Sequence, residues 1–306
     1  MSDTPTIGHA SAPGGTATLA GHRVARIGFG AMQLPGPGVW GPPRDRDAAL
    51  AVLRLALELG VNHIDTAEFY GLGVANELIH AALHPYPEDL VLVSKVGAER
   101  GPDGAWMPAQ RPAQLRAGVE ANLQTLATER LGVVNLRRMG GGGRDAVEVS
   151  DEDRVDLDSQ LAEMIKLRDE GKIGGIGISN CTLEQLRQAL PAGIVCVQNG
   201  YSLVDRSAEP LLDLCREHDI AWVPFFPLGS AFPGQPKVGE QPAVIEAAAA
   251  LGVTPAQVGL AWLLGHDAHT LLIPGTSNPR HLEENLAAGA VRLDEATMAR
   301  LDALSA

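Results

Sequence analysis

Short apolar runs alternate along this chain with longer stretches of helical periodicity, and the alternation predicts strands and helices in turn. Val61-Asn62-His63-Ile64 reads as a buried strand running into Asp65, and Val91-Leu92-Val93 as the next one, running into Lys95. An opening strand is expected near Ala25–Gly30, then a helix over Arg44–Leu59 ended by Gly60. Further helices are expected over Ala75–Leu83, over Pro112–Ala127 with Pro112 suited to its first turn, and over Asp158–Glu170, closed by Gly171. Strands over Val133–Leu136 and Ile173–Ser179 fall after the second and third of these. The rhythm continues as helix Thr182–Leu190, strand Val195–Gln198, helix Ala208–His218, strand Ala221–Phe226, a helical stretch across Pro242–Leu264, strand Thr270–Pro274 and a last helix over Arg280–Gly289. Eight strand candidates with intervening helices favour one α/β domain, a closed (β/α)8 TIM barrel, over an open sheet.

No segment interrupts this rhythm enough to mark a domain boundary, so residues 16–306 are expected to form the barrel and Met1–Gly15, small and polar, a loose leader. Two long loops stand out: Gly140-Gly141-Gly142-Gly143 with the charged stretch to Asp158, after the fourth strand, and Pro233–Pro242, after the seventh. Long loops in compact domains lean toward function, and with Trp40 and Trp106 these are candidate pocket walls.

At 306 residues the chain is long enough to bury a large core without staples. Its net charge of −13 and pI near 5.1 oppose nucleic acid or an anionic membrane as partner, so a phosphate ligand has to be held by local donors. Cys181, Cys196 and Cys215 are an odd number in apolar or helical contexts, which fits a reducing cytoplasm better than a disulfide framework or a cysteine zinc site. No apolar run approaches bilayer length. A soluble cytoplasmic protein, monomer or homo-oligomer, is expected.

The candidate chemistry sits where the apolar runs end. Asp65-Thr66-Ala67-Glu68-Phe69-Tyr70-Gly71 and Lys95 offer a carboxylate, a phenol and an amine, and parallel neighbouring strands bring the three to one rim. A free tyrosine, with a pKa of about 10, protonates an alkoxide poorly near neutrality. A neighbouring ammonium favours the phenolate, and a buried carboxylate keeps that ammonium charged and aimed. Asp65 is therefore expected to hold Lys95, Lys95 to tune Tyr70, and Tyr70 to deliver the proton. Taken singly, each residue also has a bland reading as helix cap, loop packing or solvated strand end.

These residues carry a family resemblance. The block at 65–71 with Asn76-Glu77, the lysine at 95, Gly177-Ile178-Ser179-Asn180 and Ile273-Pro274-Gly275-Thr276 come in the order and at the spacing of the aldo-keto reductases, and the likeness runs from Gly28-Phe29-Gly30-Ala31-Met32 to Glu283-Glu284-Asn285. The resemblance implies a barrel that binds NADPH, with NADH possible, in an extended pose across its C-terminal rim and reduces a small-molecule carbonyl by hydride transfer. In agreement, neither Gly28-Phe29-Gly30 nor Gly175-Ile176-Gly177 continues into a Rossmann fingerprint.

By the resemblance, Asp65, Tyr70 and Lys95 match the proton-transfer positions, and Ser179, Asn180 and Gln198 those that bond the nicotinamide amide. Phe225 matches the stacking aromatic, and Gly30 and Met32 fall at the cofactor's side of the first strand. Phe226, Leu228 and Ser230, then Gly275, Thr276, Ser277 and Asn278 before the last helix, look right for the anionic half. Arg280 and His281 follow, and Glu284 and Asn285 match adenine-facing positions. The sequence departs from the family in two places. Ser277 stands where an arginine often pairs with the 2′-phosphate, leaving Arg280 as the nearby charge. On the fourth strand, Leu131-Gly132-Val133-Val134-Asn135-Leu136-Arg137 puts Arg137 where a histidine is usual, with Asn135 on the same face. An arginine presents fixed donors to a substrate oxygen but does not shuttle protons. With Val197-Gln198-Asn199-Gly200-Tyr201 and Pro224-Phe225-Phe226-Pro227-Leu228-Gly229, this variant resembles the bacterial branch that includes pyridoxal reductases.

Two other classes stay open on the sequence: an NADPH-binding sensor subunit with slow turnover, kept alive by Arg137, and a metal-dependent hydrolase using His63 and Asp65, which lacks a second ligand pair at metal spacing.

Overall fold

The computed structural model describes residues 12–140, 149–150, 153–229 and 235–304. Two short strands open the chain, β1 (Thr16–Leu19) and β2 (His22–Ala25), paired antiparallel across Ala20-Gly21, whose φ values of 50° and 81° are those of a tight hairpin turn. Then come β3 (Phe29–Gly30), α1 (Arg46–Glu58), β4 (His63–Asp65), α2 (Val74–Leu83) and β5 (Val91–Val96). A second hairpin, β6 (Ala98–Arg100) with β7 (Trp106–Pro108), precedes α3 (Pro112–Thr125) and β8 (Leu131–Arg137). The remaining elements are α4 (Leu157–Asp169), β9 (Ile173–Ser179), α5 (Leu183–Ala189), β10 (Ile194–Gln198), α6 (Glu209–Glu217), β11 (Ala221–Trp222), α7 (Pro242–Leu251), α8 (Pro255–His266), α9 (Pro279–Ala287) and α10 (Glu295–Asp302).

Seven strands form one parallel sheet in the order β11-β10-β9-β8-β5-β4-β3. Thr270–Pro274, expected as the eighth strand, forms no ladder; Thr270 bridges to Trp222 and Leu272 to Ile27, both parallel, so the segment is bonded to both edges of the sheet. Two apolar groups result. The larger lies between strands and helices; α1, for example, turns Ala49, Leu50, Val52, Leu53 and Ala56 inward, while its N-cap Asp45 accepts from the Ala48 amide, a cap worth about 1 kcal/mol. The smaller gathers Val91, Val93, Val133, Cys196, Ala221, Val223 and Leu271 with Leu19 and Val24 of the opening hairpin. That hairpin packs in one apolar group with residues of β5, β8, β10 and β11, and the last residues of β4, β8, β9 and β10 are polar.

Neither hairpin, nor α10, is expected from the sequence. The helical stretch over Pro242–Leu264 is two helices, because Gly252 adopts a left-handed φ of 67° and Thr254, accepting from the Gln257 amide, caps a new start at Pro255. Of the first fifteen residues, Ala12–Gly15 are described: Pro13 is buried, and Arg26 and Ile27 donate their amides to Gly15 and Pro13. Residues 141–148 and 151–152 of the first long loop lie outside the described residues, as do Pro233 and Gly234 of the second and residues 230–232 before it, Ser230 among them.

Candidate active site

A parallel sheet sends all its strand C-termini to one side, so residues that end strands meet there whatever their distance in sequence. Asp65 ends β4, Lys95 is the penultimate residue of β5, Arg137 ends β8, Ser179 ends β9 and Gln198 ends β10. Register aligns them further, pairing Lys95 with Asn135, Arg137 with Ser179 and Ser179 with Gln198.

Asp65 and Lys95 form a buried ion pair, Nζ donating to Oδ1, and Nζ donates also to the Thr66 carbonyl at 3.1 Å. The other carboxylate oxygen accepts from Gln198 Nε2 at 2.7 Å. Tyr70 is buried, with Lys95 Nζ 5.0 Å from its ring centroid. Burial disfavours the Lys95 ammonium, but the Asp65 carboxylate and the Tyr70 hydroxyl outweigh it and hold the lysine above its ordinary range. The carboxylate and the hydroxyl thus favour the charged form of the lysine. Behind it, Thr66 Oγ1 donates to Asn76 Oδ1 at 2.8 Å and Asn76 Nδ2 to Asn122 Oδ1 at 2.9 Å, while Ser94 Oγ donates to that same oxygen at 2.6 Å. This network locks Thr66, whose carbonyl receives the lysine, to α2 and α3.

Toward the mouth, Phe69 meets Tyr70 edge to face at 5.4 Å and Trp106 at 5.3 Å. Arg100 lies 3.8 Å from the Trp106 ring centroid and 5.8 Å from that of Trp40, and donates to the carbonyls of Gly38, Val39 and Gly104. It clamps the loop at 36–41 to the second hairpin, so Trp40 and Trp106 form one aromatic wall. Sequence reasoning missed Arg100, because no periodicity or spacing marks a side chain whose partners are loop carbonyls. The Arg137 guanidinium is 5.5 Å from the Trp106 ring.

For a cofactor, the test is what the strand ends leave unsatisfied. Ser179 Oγ and Gln198 Oε1 are buried without a hydrogen-bond partner, a costly state of about 1–3 kcal/mol each that a carboxamide would relieve by donating to one and accepting from the other. Asn180, in a left-handed conformation at φ 57°, donates to the Arg138 carbonyl at 3.0 Å. Phe225 and Phe226 are half-exposed and edge to face at 5.3 Å, and Leu228 is half-exposed beside them. Gly30 and Gly275 press backbone to backbone: a Cβ on Gly30 would stand 2.4 Å from the Ile273 oxygen, and one on Gly275 2.3 Å from the Gly30 oxygen. Met32 lies in a 3-10 turn just after Gly30. Thr276 is buried and its hydroxyl accepts from the Asn278 amide, Ser277 is exposed, and Asn278 caps α9. Exposed Arg280 is paired with Glu284 at 2.9 Å; His281 is exposed and Asn285 half-exposed on the same helix. The donor set fits an extended ligand with an amide at the strand ends and anionic groups toward α9.

His63 shares the Asp65 face but not its hydrogen bonds. Both ring nitrogens are buried without partners, and burial drives its pKa down to about 4. No group of three His, Cys, Asp or Glu stands together among the described residues. The three cysteines are free and buried, with Cys181 and Cys196 pushed up to about 12 by burial.

A parallel α/β sheet whose strand ends converge a buried Asp–Lys pair, a tyrosine and unpartnered buried side-chain oxygens defines an oxidoreductase site, and the chain belongs to the aldo/keto reductase family, whose model matches residues 26–306. Among its relatives, pyridoxine 4-dehydrogenase of Escherichia coli strain K12 is 47% identical over 291 residues, covering 95% of this chain and 98% of that protein. Methylglyoxal reductase YeaE of the same strain is 31% identical, covering 89% of this chain and 92% of its own length. An aldo-keto reductase from Klebsiella pneumoniae, crystallised in complex with NADPH, superposes with a TM-score of 0.76 at 29% identity over 94% of each chain.

Proposed function

We propose that this protein reduces an aldehyde or ketone to an alcohol, reversibly, with NADPH as the reductant, at the C-terminal mouth of a closed (β/α)8 barrel in which residues 270–272 serve as the eighth strand. The bridges of that segment to Trp222 and Ile27 support the closure. What carries the functional reading is the buried Lys95–Asp65 pair beside Tyr70, with Ser179 Oγ and Gln198 Oε1 left unsatisfied on neighbouring strand ends.

Ser179, Asn180 and Gln198 hold the nicotinamide amide with Phe225 stacked on its ring, the Phe226–Leu228 segment and Gly275–Asn278 take the diphosphate, and Arg280 takes the 2′-phosphate. Bound NADPH supplies the hydride. Tyr70 donates its phenolic proton to the carbonyl oxygen as negative charge develops there, and the Lys95 ammonium stabilises the phenolate left behind. Asp65 keeps Lys95 charged and aimed, and Gln198 braces Asp65. Arg137 presents fixed donors to the substrate oxygen, and the wall of Phe69, Trp106 and Trp40 receives the rest of the substrate. An aromatic aldehyde such as pyridoxal is the favoured substrate class, supported by the 47% identity to a pyridoxine 4-dehydrogenase and by the aromatic wall.

The test follows loss of reduced nicotinamide absorbance with NADPH and an aldehyde, with and without a chelator. Consumption that survives chelation and is lost in Tyr70→Phe, with NADPH affinity kept, is expected. Tight NADPH binding without consumption replaces this reading with a sensor.

A further inference from the structure

The pairing of β9 with β10 ends at Ser179 and Gln198, after which the Asn180 amide adds one more bond, to the Gln198 carbonyl at 2.9 Å. There the main-chain ladder stops, because Asn180 turns left-handed at φ 57° and carries the chain out of the sheet. A side chain supplies the next rung. Asn199 Oδ1 accepts from the Cys181 amide at 3.2 Å, and Asn199 Nδ2 donates to the Cys181 carbonyl at 2.8 Å. A primary amide offers the donor and acceptor of a peptide group, so these two bonds hold the strand ends together beyond the point where the main chains part. Both residues are buried.

The main chain of the same residue holds a second segment. The Phe225 amide donates to the Asn199 carbonyl at 3.1 Å and the Tyr201 amide to the Phe225 carbonyl at 3.3 Å, with Gly200 between them. Gly200 gives the aromatic ring room: a Cβ there would stand 3.2 Å from Phe225 Cε2, closer than an ordinary van der Waals contact. Residue 199 is thus bonded on one side to the end of β9, which carries Ser179 and Asn180, and on the other to the segment that carries Phe225.

We propose that Asn199 is a positioning residue for the nicotinamide, keeping the groups that bond its amide in register with the aromatic that stacks on its ring. The inference rests on the NADPH-dependent reading above and adds to it a residue that acts through its neighbours. Once Ser179 and Phe225 shift relative to each other, the ring cannot satisfy both, and a displacement of about 1 Å costs on the order of a hundredfold in rate. The adenosine half of the cofactor is held by α9, on which this clamp does not act.

Asn199→Leu, similar in volume and lacking both bonds, tests the proposal with adenosine 2′,5′-bisphosphate, which carries the adenosine half of NADPH and no nicotinamide. Affinities are read by fluorescence titration, and kcat with benzaldehyde is measured using NADPH and NADPH deuterated at the transferred position. The variant should bind the bisphosphate as wild type does and NADPH about tenfold more weakly. Its kcat should fall by about tenfold or more with a larger isotope effect, because hydride transfer becomes the slow step. Equal weakening of the bisphosphate and NADPH would make the clamp a general prop of the fold, and unchanged NADPH affinity and isotope effect would make it idle. Either result overturns the inference, while turnover by wild type keeps the reductase reading intact. A wild type that consumes no NADPH with any aldehyde removes both. Should Asn199→Leu fail to fold, Asn199→Asp decides: its carboxylate turns an oxygen toward the Cys181 carbonyl, and protonation restores a donor. The titratable neighbour is the Cys181 thiol, 3.8 Å from Asn199 Oδ1 and pushed up to about 12 by burial, so it stays neutral throughout. The kcat of Asn199→Asp relative to wild type should therefore rise as pH falls, and a flat ratio overturns the proposal.

Discussion

Gln198 donates its side-chain amide to the Asp65 carboxylate at 2.7 Å, across 133 positions of sequence. One residue thus links two strand ends of the site: Nε2 braces the carboxylate that holds Lys95, and Oε1 is buried without a partner. Gln198→Ala should therefore cost twice. The protein should lose about 1–3 kcal/mol by stranding a buried carboxylate oxygen, and NADPH should bind more weakly, with the two read separately by urea unfolding and by fluorescence titration of the cofactor. A variant that loses cofactor affinity at unchanged stability would show that the brace contributes nothing.

The Asp65–Lys95 pair is buried, so removing one partner leaves an uncompensated charge. Lys95→Met should destabilise the fold by about 3–5 kcal/mol, whereas Asp65→Asn combined with Lys95→Met should recover a large part of that loss. Both should lack carbonyl reduction. Denaturation midpoints of the single and double variants check the coupling, and strict additivity of the two changes counts against it.

His63 gives the stability a defined slope on the acid side. In the unfolded chain it titrates near 6.5, and in the fold burial lowers it to about 4, so between those values the unfolded state binds more protons. Its contribution is present in full above pH 6.5 and is lost as pH falls toward 4, amounting to about 3 kcal/mol. His63→Leu removes the titrating group, and because both nitrogens lack partners it strands none; its unfolding free energy should fall less than that of wild type between pH 7 and pH 4.5. Parallel curves for the two proteins would contradict this account.

Cofactor preference is expected to rest on Arg280, which spends its charge on Glu284. Arg280→Ala should raise the Kd for NADPH about tenfold and leave NADH nearly unchanged, and Glu284→Gln, which removes the charge that holds the guanidinium and keeps a polar side chain toward the adenine, should tighten NADPH. The ratio of the two dissociation constants at fixed ionic strength is the measurement, and equal effects on both cofactors would assign the 2′-phosphate to other groups.

Much of the framework is legible in the chain. The strand into Asp65, the one into Lys95 and the one over Ile173–Ser179 fall where apolar runs predict them, because a buried parallel strand needs little beyond a short run of apolar residues. Less legible is the break inside 242–264. Its signals are present, a glycine, a capping threonine and a proline at 252, 254 and 255, but the apolar run on both sides masks them. Hairpins Thr16–Ala25 and Ala98–Pro108 are hidden for another reason: their strands are three or four residues long, too short for alternation to register.

By itself the sequence determined that Asp65, Lys95, Ser179 and Gln198 meet, since residues that end parallel strands share a rim by the direction of the backbone alone. Only the tertiary structure decided whom the long side chains would find there: Arg280 took Glu284, Arg100 took three loop carbonyls, and Arg137 took no acceptor among the described residues. Strand direction is set by local pattern over a few residues. A guanidinium on a flexible stem chooses its partner by distance in space, and that distance is fixed only when loops remote in sequence have packed.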